Sequence, residues 1–372
     1  MTTLLGGLSP AAFLQEYWHK KPLFLRQAMP GFGGLLSPEQ MLALAGQENV
    51  ESRLVTHPKA AWNLEHGPLP ASRFHKLPKK DWTLLVQSID HHLPAGVDLL
   101  QQFNFIPHAR VDDLMVSYAA PGGGVGPHFD SYDVFLLQGL GHRRWCISAQ
   151  KNLDLIENCP LKILKYFKPE EEYILGPGDM LYLPPHYAHD GVAMDDCMTY
   201  SIGVRAPSTQ EITESFLDFM RDRIDLPGRY ADPDLTLQKH AGEISPGMLQ
   251  QLQDMIGRIR WSKNDVAEFV GEYLSEPKPH VYFNPPDKPM GRATFGNAVA
   301  RRGVTLDAKS RLLFTGKRFF INGEMLLASG LEARVLKALA DRRHLAPPAD
   351  LPADLLDLFY DWYKTGWLQV EP

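Results

Sequence analysis

Three potential metal ligands lie at turns between short apolar segments, and this placement constrains the fold more than any other feature of the sequence. His128 and Asp130 follow the glycine-rich loop Pro121–Pro127, and His189 lies 59 residues beyond Asp130. His189 follows Gly176–Pro185, which predicts a turn, a short strand and a second turn. Loops at strand ends present ligands into the mouth of a small β-barrel. Two imidazoles and one carboxylate also form the ligand set that holds Fe(II) on one face, so we favour this site over three unrelated loop residues.

The region around these ligands has the pattern of an antiparallel sandwich or barrel, with short apolar segments separated by Gly/Pro turns. The first hundred residues have a more helical pattern, with candidate helices at Pro10–Tyr17 and Pro38–Gly46. We expect these helices to wrap the barrel, which ends near Ala206. The predicted strands are Asp113–Tyr118, Asp133–Gln138, Arg144–Ser148, Glu172–Leu175, Met180–Leu183 and Thr199–Arg205.

After Ala206 the apolar spacing becomes helical. Ser208 and Glu211 form a capping-box pattern at the start of an amphipathic segment. A second helix is predicted from Ser245, and a third contains Val266 and Phe269. Three amphipathic helices predict a small bundle at 207–276, which could pack against the barrel or join two copies of the chain.

The C-terminal part mixes short strands and helices in the manner of a winged-helix-like module. Asn322-Gly323 separates two predicted strands and is a strong signal for a tight hairpin. Predicted helices at Glu332–Ala340 and Ala353–Tyr363 follow. The basic stretch Arg292–Arg318 could form a DNA-binding wing, but we favour a solvated or protein-contacting face because the whole chain is acidic.

Composition agrees with a soluble cytoplasmic enzyme and says little more. A net charge of −6 makes direct nucleic-acid binding unexpected, although it suits a basic protein partner. No run of apolar residues is long enough for a membrane span, and the first residues lack the basic segment of a signal peptide. The three cysteines form no C-x-x-C pair and are expected to be ordinary thiols.

The motifs resemble those of a known family. The segment PGGGVGPHFDSYDVFLLQGLGHRRW (residues 121–145) and the later PGDMLYLPPHYAH are similar to sequences of the bacterial ribosomal oxygenases of the JmjC/cupin class. The N-terminal FLQEYWHKKPL is similar to their usual opening, and the resemblance extends over the whole chain.

This resemblance implies a fold, a reaction and partners. The expected fold is α+β, with a double-stranded β-helix (the cupin/JmjC jelly roll) at 1–206, a helical dimerisation bundle at 207–276 and a winged-helix-like domain at 277–372. The expected activity is hydroxylation of an arginyl residue of a large-subunit ribosomal protein, with Fe(II), 2-oxoglutarate and dioxygen. A homodimer is also expected.

The resemblance places the metal ligands at His128, Asp130 and His189. His186 competes with His189, but it follows two prolines at the loop apex, whereas His189 begins the return into a strand. We therefore favour His189. His142 is expected to be an exposed turn residue.

A dicarboxylate cosubstrate needs a buried cation, and arginine pairs with a carboxylate bidentately. Consecutive strand residues face opposite sides, so one of Arg143 and Arg144 should point into the barrel. The resemblance implies that it is Arg143, and that Ser117 contributes a hydroxyl. Ala119, small and apolar, removes a contact if relatives have a hydroxyl there.

Substrate recognition is the least constrained part of the sequence. Tyr132, Asp133, Tyr187 and Asp190 are candidates for contacting the target side chain, and each could equally be structural. Two other functions stay open: an oxygenase acting as a histidyl hydroxylase or a demethylase, and a non-catalytic cupin-type metal-binding regulator. Arg143 together with the metal ligands argues against the regulator.

Overall fold

The computed structural model describes residues 3–57, 61–347 and 351–371. The chain forms two compact units. The first comprises the described parts of 1–206, 277–310 and 338–372, and the second comprises 207–276 and 311–337. The predicted division into domains at 206 and 276 stays a prediction. No helix among the described residues is long and apolar enough to cross a membrane.

Antiparallel strands and short helices make up the N-terminal 206 residues. The helices are α1 (Pro10–Glu16), α2 (Pro38–Ala45), α3 (Ala71–Phe74) and α4 (Pro94–Gln101). The strands are β1 (Leu23–Leu25), β2 (Ser52–Thr56), β3 (Asn63–His66), β4 (Trp82–Val86), β5 (Val111–Ala119), β6 (Val134–Leu140), β7 (Arg143–Ser148), β8 (Glu171–Leu175), β9 (Met180–Leu183), β10 (Ala188–Ala193) and β11 (Cys197–Val204).

These strands form two sheets, which confirms the predicted jelly-roll class. The larger sheet has eight strands in the order β1-β9-β6-β11-β5-β4-β2-β3, and the smaller has the order β10-β7-β8. One face of the larger sheet packs on α1 and α2 through a core that includes Phe13, Met41 and Tyr200. The opposite face meets the smaller sheet, where Leu136 and Leu181 pack with Trp145. The space between the sheets is called the barrel interior below.

The first hundred residues depart from the prediction. The two predicted helices are present, but β1 to β4 also lie in this region. Three of these strands extend the larger sheet beyond β5. The expectation of a mainly helical wrapping was therefore wrong, because the buried runs of β2 and β4 lack the apolar/polar alternation of a half-exposed strand.

The second unit contains the three predicted helices and a small sheet. The helices are α5 (Thr209–Arg221), α6 (Pro246–Ile256) and α7 (Lys263–Ser275). The capping box of Ser208 and Glu211 is present. Strands Leu312–Thr315, Arg318–Ile321 and Glu324–Leu327 (β13 to β15) pair in order. Asn322 and Gly323 both have positive φ, at 50° and 89°, as the predicted hairpin turn requires.

The remaining C-terminal elements belong mostly to the first unit. The sequence did not predict the helix α8 within the basic stretch, nor the short strands β12 and β16. The elements are α8 (Arg292–Arg302), β12 (Val304–Leu306), α9 (Gly330–Arg342), β16 (His344–Leu345), α10 (Ala353–Thr365) and β17 (Leu368–Val370), and the boundary between the units falls within α9.

Candidate metal centre and cosubstrate pocket

Backbone pairing brings the three predicted metal ligands together. His128 forms an isolated antiparallel bridge with His189, and their backbone N–H groups donate to each other's carbonyl oxygens at 2.9 and 2.8 Å. The Nε2 of His189 lies 3.7 Å from Oδ2 of Asp130. One ligand atom from each of the three residues lies within 4.8 Å of the others. A single metal ion could therefore contact all three side chains.

Hydrogen bonds to the backbone fix which imidazole nitrogen is available. Nδ1 of His128 lies 2.9 Å from the carbonyl oxygen of Gly126, and Nδ1 of His189 lies 2.9 Å from that of Tyr187. A carbonyl oxygen only accepts, so each Nδ1 carries a proton, and Nε2 is the nitrogen whose lone pair is available in the neutral ring. Burial, together with the nearby His128, lowers the pKa of His189 to about 4. His189 is thus neutral at pH 7, as a metal ligand must be.

His186, the histidine that competed with His189, and His142 both lie outside this cluster. His186 is exposed and has a left-handed backbone, with φ of 63°. Its N–H donates to the carbonyl oxygen of Asp130 at 2.7 Å, so it supports the ligand loop through its backbone. The side chain of His142 is 52% exposed, and its Nδ1 pairs with Asp195 at 2.9 Å. The expectation that His142 is an exposed turn residue is confirmed.

The two arginines of β7 face opposite sides of the smaller sheet. Arg143 is 5% exposed, and its Nε and Nη2 are buried without a hydrogen-bond partner. Arg144 points outward and lies 3.7 Å from Glu172. A buried guanidinium with unpaired donors is suited to an anionic ligand, because an uncompensated buried charge is costly. The structure therefore gives Arg143 the orientation that the sequence analysis expected.

Ser117 lies in the barrel interior on β5, where it is 3% exposed and pairs across the sheet with Thr199. Ala119, two residues later on the same face, packs against Ala193 and Cys197. This cluster of small side chains lies next to Arg143, which pairs with Ala193.

Two interior residues were missed by the sequence analysis. Nε1 of Trp145 and Oγ1 of Thr83 are both buried and without a hydrogen-bond partner. The period of two along β7 places Trp145 on the same face as Arg143, so this signal was available in the sequence. Thr83 could not be found in this way, because β4 was not recognised as a strand.

Two of the four candidates for contacting the target side chain, Tyr132 and Asp133, differ in exposure. Tyr132 is 40% exposed, and its pKa is raised by burial and by the Asp130 carboxylate. Asp133 is fully buried, where it accepts a hydrogen bond from Tyr182 at 2.5 Å and faces Nε2 of His19 at 2.9 Å. Asp133 is therefore a structural residue and does not line the mouth.

The residues present fit an iron ion and 2-oxoglutarate. Two imidazole nitrogens and a carboxylate oxygen are donor atoms that suit Fe(II), and three such ligands leave other coordination positions open. The unpaired donors of Arg143 match the carboxylate that a bound dicarboxylic acid would extend away from the metal.

Comparisons with known proteins agree with this arrangement. Residues 98–212 match the JmjC domain family, and residues 258–369 match the ROXA-like winged helix family. The chain is 34% identical to the ribosomal protein uL16 3-hydroxylase of Escherichia coli over 84% of each chain. It is 33% identical to a probable ribosomal oxygenase of Haemophilus influenzae, covering 98% of this chain and 96% of the relative.

The fold also matches solved structures over nearly its full length. A structure of YcfD, a ribosomal oxygenase from Escherichia coli, in complex with cobalt and 2-oxoglutarate superposes with a TM-score of 0.84 at 30% identity. The match covers 98% of this chain and 99% of that chain.

Proposed function

This chain belongs to the ribosomal oxygenases of the JmjC class, and from that premise we propose that it hydroxylates an arginyl residue of the large-subunit protein uL16. The enzyme class is a 2-oxoglutarate- and Fe(II)-dependent dioxygenase. The observation that supports a ribosomal substrate is the 34% identity, over 84% of each chain, to an Escherichia coli enzyme named for that substrate.

In this proposal His128, Asp130 and His189 hold the iron. The carbonyl oxygens of Gly126 and Tyr187 keep both imidazoles in the tautomer that presents Nε2. When bound, iron and 2-oxoglutarate supply the chemistry that inserts one oxygen atom of dioxygen into a C–H bond and yields succinate and carbon dioxide.

The remaining roles belong to the barrel interior. Arg143 binds the distal carboxylate of 2-oxoglutarate, and Ser117 contributes a hydroxyl beside it. The apolar side chains between the sheets, including Leu136 and Leu181, exclude water from the cosubstrate. Three protein ligands would leave the other coordination positions of the metal for 2-oxoglutarate and dioxygen, and the substrate side chain would approach from the mouth.

The target follows from charge and similarity. A chain with a net charge of −6 suits a basic ribosomal protein that works in the cytoplasm, and we expect no direct role for nucleic acid in binding. Hydroxylation of a histidyl residue and demethylation are the alternative reactions at the same centre.

Mass spectrometry of ribosomal proteins tests this proposal. Deleting the gene should leave uL16 lighter by the mass of one oxygen atom, and fragmentation should place the missing oxygen on an arginine. Restoring the wild-type gene should restore the mass, whereas the Asp130→Ala variant should not. Identical masses in all strains would contradict the ribosomal substrate, and a missing oxygen on histidine would favour the alternative reaction.

We also propose that the helices of the second unit join two copies of the chain. None of the side chains of α6 is buried within the chain, and Leu249 and Ile256 are 61% and 68% exposed. An amphipathic helix with an exposed apolar stripe needs a partner surface. A Leu249→Glu/Ile256→Glu double variant should change the mass measured by light scattering from dimer to monomer, while Gln250→Glu on the same helix should not. A wild-type monomer would refute this proposal.

A further inference from the structure

The barrel interior holds more unpaired polar atoms than one arginine accounts for. Among the described residues, those in the interior are Nε and Nη2 of Arg143, Nε1 of Trp145 and Oγ1 of Thr83. Two buried side chains elsewhere are held within the protein: Oδ2 of Asp133 faces Nε2 of His19 at 2.9 Å, and Nη1 of Arg343 donates to the carbonyl oxygen of Ser310 at 3.0 Å. Buried polar groups normally have a partner, so the interior set indicates a ligand.

Trp145 lies between the metal centre and Arg143. On β7, Trp145 pairs with Gly191 of β10, and Arg143 pairs with Ala193. The Trp145 ring packs so closely on Gly191 that an added Cβ would lie 2.5 Å from it. The centroid of this ring is 5.8 Å from that of His189, and the Arg143 guanidinium carbon is 5.8 Å from the Trp145 centroid. Trp145 therefore borders the path from the iron ligands to the buried cation.

Thr83 approaches the same end of the interior from the larger sheet. It pairs with Ala119 of β5, and Ala119 packs against Ala193, the residue that pairs with Arg143. Thr83 and Arg143 thus flank one cluster of small side chains from opposite sheets. A ligand seated there would meet donors from both walls.

We propose that Trp145 and Thr83 complete, with Arg143, a single subsite for the distal carboxylate of 2-oxoglutarate. This inference rests on the proposed function. Two nitrogens of Arg143, one of Trp145 and the Thr83 oxygen provide four donors without partners in the protein, and they join the Ser117 hydroxyl around a carboxylate, which only accepts hydrogen bonds. A 2-oxo acid without that carboxylate would leave all four donors unpaired, so the subsite selects dicarboxylic over monocarboxylic acids.

Calorimetric titration of 2-oxoglutarate into the Co(II)-loaded protein measures this subsite without turnover. Trp145→Phe and Thr83→Val each remove one donor, and Thr83→Val also keeps the side-chain volume. Each variant should weaken 2-oxoglutarate binding about tenfold with Co(II) affinity unchanged. Trp82→Phe is the matched control, because its Nε1–H already donates to the carbonyl oxygen of Pro78 at 2.8 Å. This control should bind 2-oxoglutarate as the wild type does.

The outcomes separate this inference from the proposed function. No binding of 2-oxoglutarate to the wild-type protein would refute the proposed function itself. Wild-type binding with unchanged affinity in both variants would overturn the subsite alone. If Trp145→Phe does not fold, Thr83→Val still tests the same set of donors.

A spectroscopic readout reports on the indole N–H directly. The protein is labelled with ¹⁵N-tryptophan and loaded with Zn(II), which is diamagnetic, in place of Co(II). Its ¹H–¹⁵N NMR spectrum should then contain seven indole signals, one per tryptophan. Addition of 2-oxoglutarate should move one signal downfield, and that signal should be missing from Trp145→Phe. If the signal absent from that variant does not move on saturation with 2-oxoglutarate, Trp145 donates no hydrogen bond to the cosubstrate.

Discussion

On the face of the larger sheet that packs against the N-terminal helices, buried hydroxyls have partners within the chain. The Tyr200 hydroxyl accepts from the N–H groups of Leu35 and Leu36 at 2.7 and 3.1 Å, and that of Tyr182 donates to Asp133. In the barrel interior, by contrast, donors of Arg143 are equally buried and have no partner. The buried hydroxyls of the first face find their hydrogen-bond partners within the protein. In the interior, we propose that a ligand supplies the missing partners. Variants on the two sides should therefore affect different properties.

The largest expected effect comes from the metal ligands. Asp130→Ala and His189→Ala should each abolish succinate release from 2-oxoglutarate, because two remaining ligands no longer define the face of the metal. Both proteins should remain folded by circular dichroism, since neither side chain belongs to the hydrophobic clusters that hold the two sheets together. Full turnover by Asp130→Ala would show that this carboxylate does not bind the metal.

The next effect concerns the cation in the interior. Arg143→Ala should weaken the interaction with 2-oxoglutarate by about 2–5 kcal/mol, because the desolvated carboxylate loses its charged partner. The measurement is the 2-oxoglutarate concentration that gives half-maximal turnover. Arg144→Ala, whose side chain lies outside beside Glu172, is the control and should change it little. The reverse order would mean that Arg144 and not Arg143 faces the cosubstrate.

A variant on the face of the larger sheet that packs against the N-terminal helices should alter stability and leave cosubstrate binding unchanged. Tyr200→Phe leaves two backbone N–H groups without their acceptor, so the free energy of unfolding in urea should fall by about 1–3 kcal/mol. Tyr173→Phe is the control, since its hydroxyl pairs with the exposed Glu171 and its loss should cost little. A change in 2-oxoglutarate affinity with Tyr200→Phe would contradict the separation of the two faces.

The same contrast explains what the sequence could predict. Strands from β5 to β11 alternate or end at Gly/Pro turns, so most of them were predicted within a few residues of their bounds. Every residue of β4 is buried, and its apolar run has no period that distinguishes a strand from a buried helix. His128, Asp130 and His189 could be recognised as one site because the sequence before each of them predicts a turn at the end of a strand. Thr83 was missed because its role depends on which strands pair across the sheet.

The smallest effect is expected for variants of His186. This residue lies in the ligand loop, but only its backbone contacts a metal ligand. The left-handed conformation at φ of 63° costs an L-residue roughly 1 kcal/mol, which glycine avoids. His186→Gly should therefore retain most turnover and stability, because the N–H that donates to the Asp130 carbonyl oxygen remains. His186→Ala keeps the strain and should be slightly less stable than His186→Gly in thermal unfolding. Loss of turnover in both variants, with activity retained in His189→Ala, would instead make the His186 imidazole the third metal ligand.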